Sequence, residues 1–262
     1  MTRIDMARKA YAEKNLEEVQ KAHSQQAIEH GHSHKEGHSI GFTLPEIILG
    51  GQDGLVNVLG VILGVAAATG SNHIVIVAGL AAAFAESISM GAVAYTSKIA
   101  EADYYQSEYE REKWEIDHYP EGETAEIRHL YAAYGFEGET LDTIVKTITS
   151  KKEIWLKVMM EQELKLEPIE RKEAIPFAFI VGISAIIGSF IPLTAYFFLP
   201  MKEGTMVSLV VSAVTLFVVG FYKAKKTIGR NFIKQGIEMM VIGMVSAIVG
   251  YFIGSLFQVK GF

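Results

Sequence analysis

Five apolar stretches, each long enough to cross a membrane, dominate the pattern of hydrophobic and polar positions along the chain. They lie at about 44–69, 74–97, 174–199, 205–222 and 232–257. A helix rises about 1.5 Å per residue, so roughly 20 residues span the hydrocarbon core of a bilayer, which is about 30 Å thick. The pattern therefore predicts an all-α membrane protein with five transmembrane helices.

A hydrophilic segment separates the second apolar stretch from the third. Between positions 101 and 170 it holds 18 acidic residues against 8 basic ones. Its apolar residues recur at helical spacing, which predicts helices over about 98–118, 122–134, 139–149 and 152–167. The first of these continues the second apolar stretch without a break. We therefore expect a cytoplasmic acidic helical domain, 98–172, inserted between transmembrane helices 1–2 (43–97) and 3–5 (173–262).

The first 42 residues form a polar leader that lacks the apolar core of a signal peptide. The pattern predicts a short amphipathic helix over 4–22, followed by a partly disordered segment with histidines at 23, 30, 32, 34 and 38. Neutral imidazoles could bind Zn²⁺, Ni²⁺ or Fe²⁺. A solvated linker is the alternative.

The distribution of lysine and arginine in the loops predicts the orientation. The loop at 223–234 carries five basic residues, whereas the tight turns at 70–73 and 200–204 contain only Lys202. By the positive-inside rule the leader, the acidic domain and the basic loop lie in the cytoplasm. The membrane is that of a prokaryotic cell or of an organelle.

Composition restricts the chemistry further. The chain has no cysteine, which excludes disulfides, thiolate metal sites and cysteine nucleophiles. A metal must be held by oxygen, imidazole or thioether ligands. The expected partners are metal ions and the lipid bilayer, and no nucleic acid.

Polar residues inside the first two spans form a candidate translocation path. A carboxylate in mid-span costs about 2.5–3.5 kcal/mol on insertion scales, so it normally faces water or a partner. Asp53 and Asn57 share a face of the first span, and Glu86 and Met90 share a face of the second. The helical rise puts Asp53 level with Met90, and Asn57 level with Glu86 one turn deeper.

Carboxylate, amide and thioether ligands suit Fe²⁺ or Mn²⁺ better than Mg²⁺. The alternative is that Met90 is ordinary packing and that Asp53 caps a helix break near Gly50-Gly51. Glu238, near the end of the last span, is an accessory candidate that could instead snorkel to the interface.

Carboxylates also line one helical face of the acidic domain, where Glu108, Glu112 and Glu115 follow one another at helical spacing. Like charges at that density destabilise a helix unless a cation neutralises them. A set of divalent ions would do so. The alternative is a solvated acidic face.

The segments DGLVNVLGVILGV, ESISMGAVAYTSKIAEADYY and MMEQELKLEP resemble those of the vacuolar iron transporter family over about 45–260. The resemblance implies five transmembrane helices in a homodimer with the pore at the dimer interface. It also implies export of Fe²⁺ from the cytoplasm, coupled to protons. Two features depart from the family pattern: eukaryotic members carry a glutamate where this chain has Ala82, and the leader has no counterpart.

The resemblance also assigns residues. It assigns Asp53 and Met90 to the translocation path, and the cytoplasmic metal-binding positions to Glu112, Glu115, Glu123, Glu126, Glu161 and Glu163, with Met159 or Met160 beside them. The accessory candidates are Glu108, His118, His129, Glu167 and Glu238. Glu86 lies one turn along the same helix from Ala82, and it is the candidate for proton exchange because a carboxylate in a low-dielectric medium holds a proton more readily.

Two rival functions fit parts of the sequence. The Glu-x-x-His spacings at 115–118 and 126–129 are those of di-iron carboxylate bundles, which would make the chain a membrane-anchored ferritin-like oxidase. Pro120 lies between the two copies and leaves the helices short. A non-transporting metal sensor is the other rival. The favoured interpretation is a non-enzymatic exporter of Fe²⁺, with Mn²⁺ or Zn²⁺ as alternative ions.

Overall fold

The computed structural model describes residues 39–227 and 231–257, together with Glu13 and Lys21. Within these residues every regular element is helical. The predicted leader, including its helix over 4–22 and its histidines, lies outside the described residues except for a few positions. The last of these positions, 39–42, belong to the first helix, which begins at Ser39.

Eight α-helices follow one another along the described chain. They are α1 (Ser39–Thr69), α2 (Asn72–His118), α3 (Pro120–Ala133), α4 (Gly138–Thr149), α5 (Lys152–Val158), α6 (Ala174–Phe198), α7 (Met201–Thr227) and α8 (Phe232–Leu256). A π-helical turn, Met159–Glu163, extends α5, and a 3₁₀ turn, Arg171–Glu173, precedes α6.

Five of these helices, α1, α2, α6, α7 and α8, are long and apolar enough to cross a membrane. This confirms the five predicted spans. Helix α2 is continuous from Asn72 to His118, as the unbroken pattern predicted. The predicted fourth span was too short, because α7 already begins at Met201, directly after Pro200, and continues to Thr227. Proline is tolerated at a helix start, where its missing N–H has no intrahelical partner.

The described residues form two compact units, one drawn from Met1–Gly91 and Phe179–Phe262 (the span unit) and one from Ala92–Ala178 (the acidic unit). The units divide at 91/92 and 178/179, whereas the sequence pattern predicted boundaries at 97/98 and 172/173.

Glycines let the helices of the span unit approach closely. A Cβ atom on Gly54 would lie 2.2 Å from the carbonyl oxygen of Ala185 in α6, and one on Gly254 in α8 would lie 1.9 Å from that of Gly64. Side chains cannot occupy those positions, so backbones meet there, as in other membrane proteins with small residues at helix contacts. Helix α1 is thereby held against both α6 and α8.

The acidic unit has its own apolar core, despite its charge. Ile127 from α3, Val145 from α4 and Trp155 from α5 meet in it, together with Met159 and Met160. Helices α3 and α4 are joined through Gly135 and Gly138, whose φ angles of 90° and 56° lie in the region that glycine adopts readily. The amphipathic spacing predicted from sequence therefore builds a packed helical unit.

The helix predicted over 152–167 ends earlier than expected. Helix α5 stops at Val158, and the π turn that follows closes with a bond from the Leu164 N–H to the Met159 carbonyl. Lys165 then adopts a positive φ of 56°, which ends the helix. The two consecutive methionines of the wider turn are both buried.

Candidate functional site

The polar residues of α1 and α2 contact one another in the span unit. The Asn57 Nδ2 atom donates a hydrogen bond of 2.8 Å to Glu86 Oε1, and the carboxyl groups of Asp53 and Glu86 also interact. Asp53 and Glu86 are half-buried, whereas Asn57 is exposed on the surface of the single chain. The structure thus brings together three of the four residues predicted for the translocation path.

Met90, the fourth residue, lies one turn beyond Glu86 on α2 and is half-buried. The alternative interpretation of Asp53 as a cap at a helix break is wrong, because α1 runs unbroken through Gly50 and Gly51. Glu238 is exposed on α8, where it accepts a hydrogen bond of 3.3 Å from Gln235. That hydrogen bond joins two residues of the same helix, α8.

Sequence reasoning missed a further carboxylate on the same stripe of α1. Glu46 is only 7% exposed, and its buried Oε2 atom has no hydrogen-bond partner among the described residues. It precedes Asp53 by seven residues, which is two helical turns on one face. That spacing was the available signal, and it passed unnoticed because Glu46 stands in the first turn of the apolar stretch.

Three glutamates form a compact cluster in the acidic unit. One carboxylate oxygen from each of Glu112, Glu115 and Glu123 lies within 4.8 Å of the others. Glu112 is 2% and Glu123 is 4% exposed. The Oε2 atoms of both are buried without a donor among the described residues. Buried charges of one sign are costly unless a cation or a proton compensates them. Oxygen atoms in this arrangement can hold a divalent ion.

Arg111 is the residue of this site that the sequence analysis did not identify. Its guanidinium donates to Glu108 Oε2 through Nε at 3.0 Å and Nη2 at 2.9 Å. It also pairs with Glu112 Oε1 at 2.6 Å and with Glu115. The sequence shows a basic residue directly before Glu112. It does not show which way the side chain of that residue turns.

Two further carboxylates adjoin the cluster. Glu126 on α3 interacts with Glu112 and Glu123 and lies within hydrogen-bond reach of Glu163 from the π turn. Both line an open pocket, with His129 on the same wall. The structure therefore brings five of the predicted metal-binding glutamates into one region of the acidic unit.

Loss of hydration and like charge together raise the pKa values of Glu123 and Glu163. Loss of hydration, and then the charges of Glu112, Glu126 and Glu115, raise the pKa of Glu123 to about 8. Loss of hydration around the Glu163 carboxyl, followed by the charges of Glu126 and Glu112, raises its pKa to about 7. These carboxyl groups therefore hold protons near neutral pH that a metal ion would displace.

The remaining predicted residues lie in different surroundings. Met159 and Met160 pack in the apolar core of the acidic unit. Glu161 is exposed, with its carboxylate 3.8 Å from Lys157 Nζ, and Glu167 is exposed beyond the π turn. The His118 ring stacks on Trp114 with centroids 4.3 Å apart, and its Nδ1 lies 2.8 Å from the Trp114 carbonyl oxygen. The first Glu-x-x-His pair therefore does not present both side chains to one site.

Five membrane-length helices and an intramembrane group of carboxylates and amide define a multi-pass helical membrane protein with a polar site inside its spans. A family model described as the VIT family matches residues 44–255. The chain belongs to the VIT family.

Curated relatives agree with this assignment. Vacuolar iron transporter 1 of Eucalyptus grandis is 33% identical over 220 residues, which cover 83% of this chain and 88% of the relative. Vacuolar iron transporter 1 of Arabidopsis thaliana is 33% identical over 227 residues, covering 86% and 90%. The vacuolar iron transporter of Toxoplasma gondii is 33% identical over 269 residues, covering 97% and 88%.

The comparisons also bear on two expectations. The relatives are named as transporters, in agreement with the prediction that the chain is not an enzyme. The family model begins at residue 44, in agreement with the expectation that the leader lies outside the family pattern, although the alignment with the Toxoplasma gondii protein covers 97% of the chain and extends into residues 1–42.

Proposed function

We propose that this protein transports divalent transition metal ions, with Fe²⁺ as its main cargo, out of the cytoplasm. The observation that carries the proposal is the group of Asp53, Asn57 and Glu86, joined by the 2.8 Å hydrogen bond from Asn57 to Glu86 inside membrane-length helices. Polar and charged groups held together within membrane-spanning helices normally mark an ion path. The names of the relatives support iron as the cargo.

The acidic unit would collect the metal before transport. Glu112, Glu115 and Glu123 offer oxygen ligands within 4.8 Å of one another, with Glu126 and Glu163 beside them. Met160 and Glu161 complete the set proposed from the family resemblance, and Mn²⁺ or Zn²⁺ would be accepted by the same donors. In this mechanism the ion is passed from cytoplasmic carboxylates to Asp53, which supplies charge, and to Met90, which favours softer ions.

The working form would be a homodimer with the path between the two copies. Asn57 supports this, because it is exposed on the single chain although it lies within a membrane-length helix. It lines an open groove between α1 and α8. A second copy on this face would remove a polar side chain from lipid.

Orientation and coupling are further parts of the proposal. The basic residues at the end of α7 favour a cytoplasmic position for that end, and with five spans the acidic unit shares this compartment. Glu86 would exchange a proton against the metal, since it interacts with both Asp53 and Asn57. A metal-responsive leader with its histidines would lie on the same side.

Flux of Fe²⁺ into proteoliposomes containing the purified full chain tests the proposal. The wild-type protein should accumulate Fe²⁺, with Mn²⁺ and Zn²⁺ as competitors that rank the ions. Asp53→Ala should abolish flux, because the translocation path loses its charged ligand. Glu86→Gln should leave flux that no longer depends on a proton gradient.

Glu203→Gln is the matched control, because Glu203 is an exposed carboxylate in the first turn of α7 and lies outside both sites. It should transport like the wild type. Wild-type protein without flux under a proton gradient would refute transport. Flux that survives in Asp53→Ala would refute the assigned path.

A further inference from the structure

Arg111 pairs with two of the three carboxylates that the metal would need. Its guanidinium contacts Glu108, Glu112 and Glu115, and the last two belong to the three-glutamate cluster. In the described part of the acidic unit, the other two arginines pair with carboxylates outside the cluster, Arg128 with Asp142 and Arg171 with Asp103. Arg111 is therefore placed differently from its neighbours of the same charge.

The chemistry of arginine makes this contact a competition. A guanidinium stays charged at every physiological pH, so it cannot be removed from the carboxylates by deprotonation. Its Nη2 atom lies 2.6 Å from Glu112 Oε1, an oxygen that an ion held by Glu112 would also approach. Two cations that close together repel each other, and both draw on the same carboxylate.

Arg111 is partly exposed and has a charged partner outside the three-glutamate cluster. The side chain is 43% exposed, whereas Glu112 is 2% exposed. Glu108 accepts two of its hydrogen bonds and is not a member of the three-glutamate cluster. The guanidinium can therefore leave Glu112 and Glu115 and keep a charged partner one turn back on α2.

We propose that Arg111 is an internal competitor that sets the metal affinity of the glutamate cluster: an incoming divalent ion displaces its guanidinium from Glu112 and Glu115, and its return promotes release of the ion. This inference rests on the proposed transport function. It makes Arg111 a residue that determines affinity and release without being a ligand. A monovalent ion gains too little from the carboxylates to displace a charged guanidinium, so the device also favours divalent cargo.

Equilibrium binding of Mn²⁺ to the purified full chain, measured by electron paramagnetic resonance in an Asp53→Ala background, tests the competition. Arg111→Gln should tighten binding by at least about tenfold, because it removes a repelling unit charge a few ångströms from the ion. Arg111→Lys should stay near the wild-type affinity, since the charge is kept. Arg128→Gln is the matched control and should bind as the wild type does.

Weaker binding in Arg111→Gln would overturn the inference, because the guanidinium would then hold the carboxylates in their binding geometry. Unchanged binding would also overturn it and leave an ordinary surface ion pair. A melting curve for each variant shows whether it is folded. If Arg111→Gln is not folded, Arg111→Lys is the variant compared with the wild type.

Transport kinetics give a readout that a structural role would not produce. In Fe²⁺ flux assays with an intact Asp53, Arg111→Gln should lower both KM and kcat, because a tighter cluster fills at lower concentration and releases more slowly. A fall in kcat with a higher KM would contradict this. If the wild type carried no flux while Mn²⁺ binding still tightened in Arg111→Gln, the proposed function would fail and the competition would stand.

Discussion

At the scale of single residues, Glu123 shows how burial and like charge act on one carboxyl group. Its pKa is raised from the ordinary 4.5 to about 8. The folded chain therefore binds a proton more tightly than the unfolded chain does. The stabilising effect is complete below pH 4.5 and is lost as pH rises through about 8. We expect the melting temperature of the metal-free protein in detergent to fall between pH 5 and pH 9, and Glu123→Gln to reduce that fall.

Glu139→Gln serves as the comparison, because Glu139 is an exposed carboxylate on α4. Its melting temperature should follow the wild-type pH dependence. Added Mn²⁺ should restore stability at pH 8 more than at pH 5, since the ion binds deprotonated carboxylates and releases their protons. A pH dependence that is the same in wild type and Glu123→Gln would show that other groups cause it.

Residue-level prediction from sequence succeeded where helical spacing decides the outcome. Asn57 and Glu86 were expected at one level from the rise of two antiparallel helices, and they are hydrogen-bonded. Spacing could not reveal Arg111, because its role depends on which way a flexible side chain turns among several acidic neighbours. Spacing places Glu46 on the same face as Asp53, but it could not show that the Oε2 atom of Glu46 is buried without a partner, since burial depends on the packing of other helices against α1.

At the scale of elements, α1 depends on backbone contacts that only glycine permits. A Cβ atom on Gly254 would lie 1.9 Å from the Gly64 carbonyl oxygen, so Gly254→Ala must push α8 away from α1. Overpacking of this kind costs about 1–3 kcal/mol. We expect a lower melting temperature in detergent and reduced Fe²⁺ flux, because Asn57 lies in the groove between the same two helices.

Gly204→Ala is the matched substitution for this test. A Cβ atom there would meet its nearest neighbour, Tyr196 Cδ1, at 3.4 Å, close to ordinary van der Waals contact. Alanine is also the better helix former, so stability should be unchanged or slightly higher. Equal melting temperatures for Gly254→Ala and the wild type would mean that α1 and α8 can move apart without loss of stability.

Element boundaries were predicted where a single strong signal ends a helix and were missed where two effects compete. Gly135 and Gly138, with positive φ, separate α3 from α4 as expected. The end of α5 was misplaced by several residues. The hydrophobic pattern continued to Leu166, but the backbone changed to a π turn that buries both Met159 and Met160. A periodicity of 3.6 residues carries no information about such a turn.

At the scale of the whole molecule, the number of spans followed from hydropathy alone, because backbone groups in a bilayer must be bonded within helices. Oligomeric state could not be obtained in this way. The polar Asn57 on an exposed helix face is a feature of the folded chain, since it depends on which side of α1 the other four spans occupy. Only the resemblance, which implies a homodimer, offers an interpretation of that face.

The proposed topology can be tested directly, because the chain contains no cysteine. Single cysteines can therefore be introduced and labelled without background. With five spans and a cytoplasmic acidic unit, Ser71→Cys before α2 and Lys202→Cys at the start of α7 should react with a membrane-impermeant maleimide on intact cells. Ser150→Cys, between α4 and α5, and Lys225→Cys, near the end of α7, should react only after the membrane is permeabilised. Labelling of Ser150→Cys on intact cells would reverse the orientation and, with it, the direction of transport, because the glutamate cluster would then collect metal from outside.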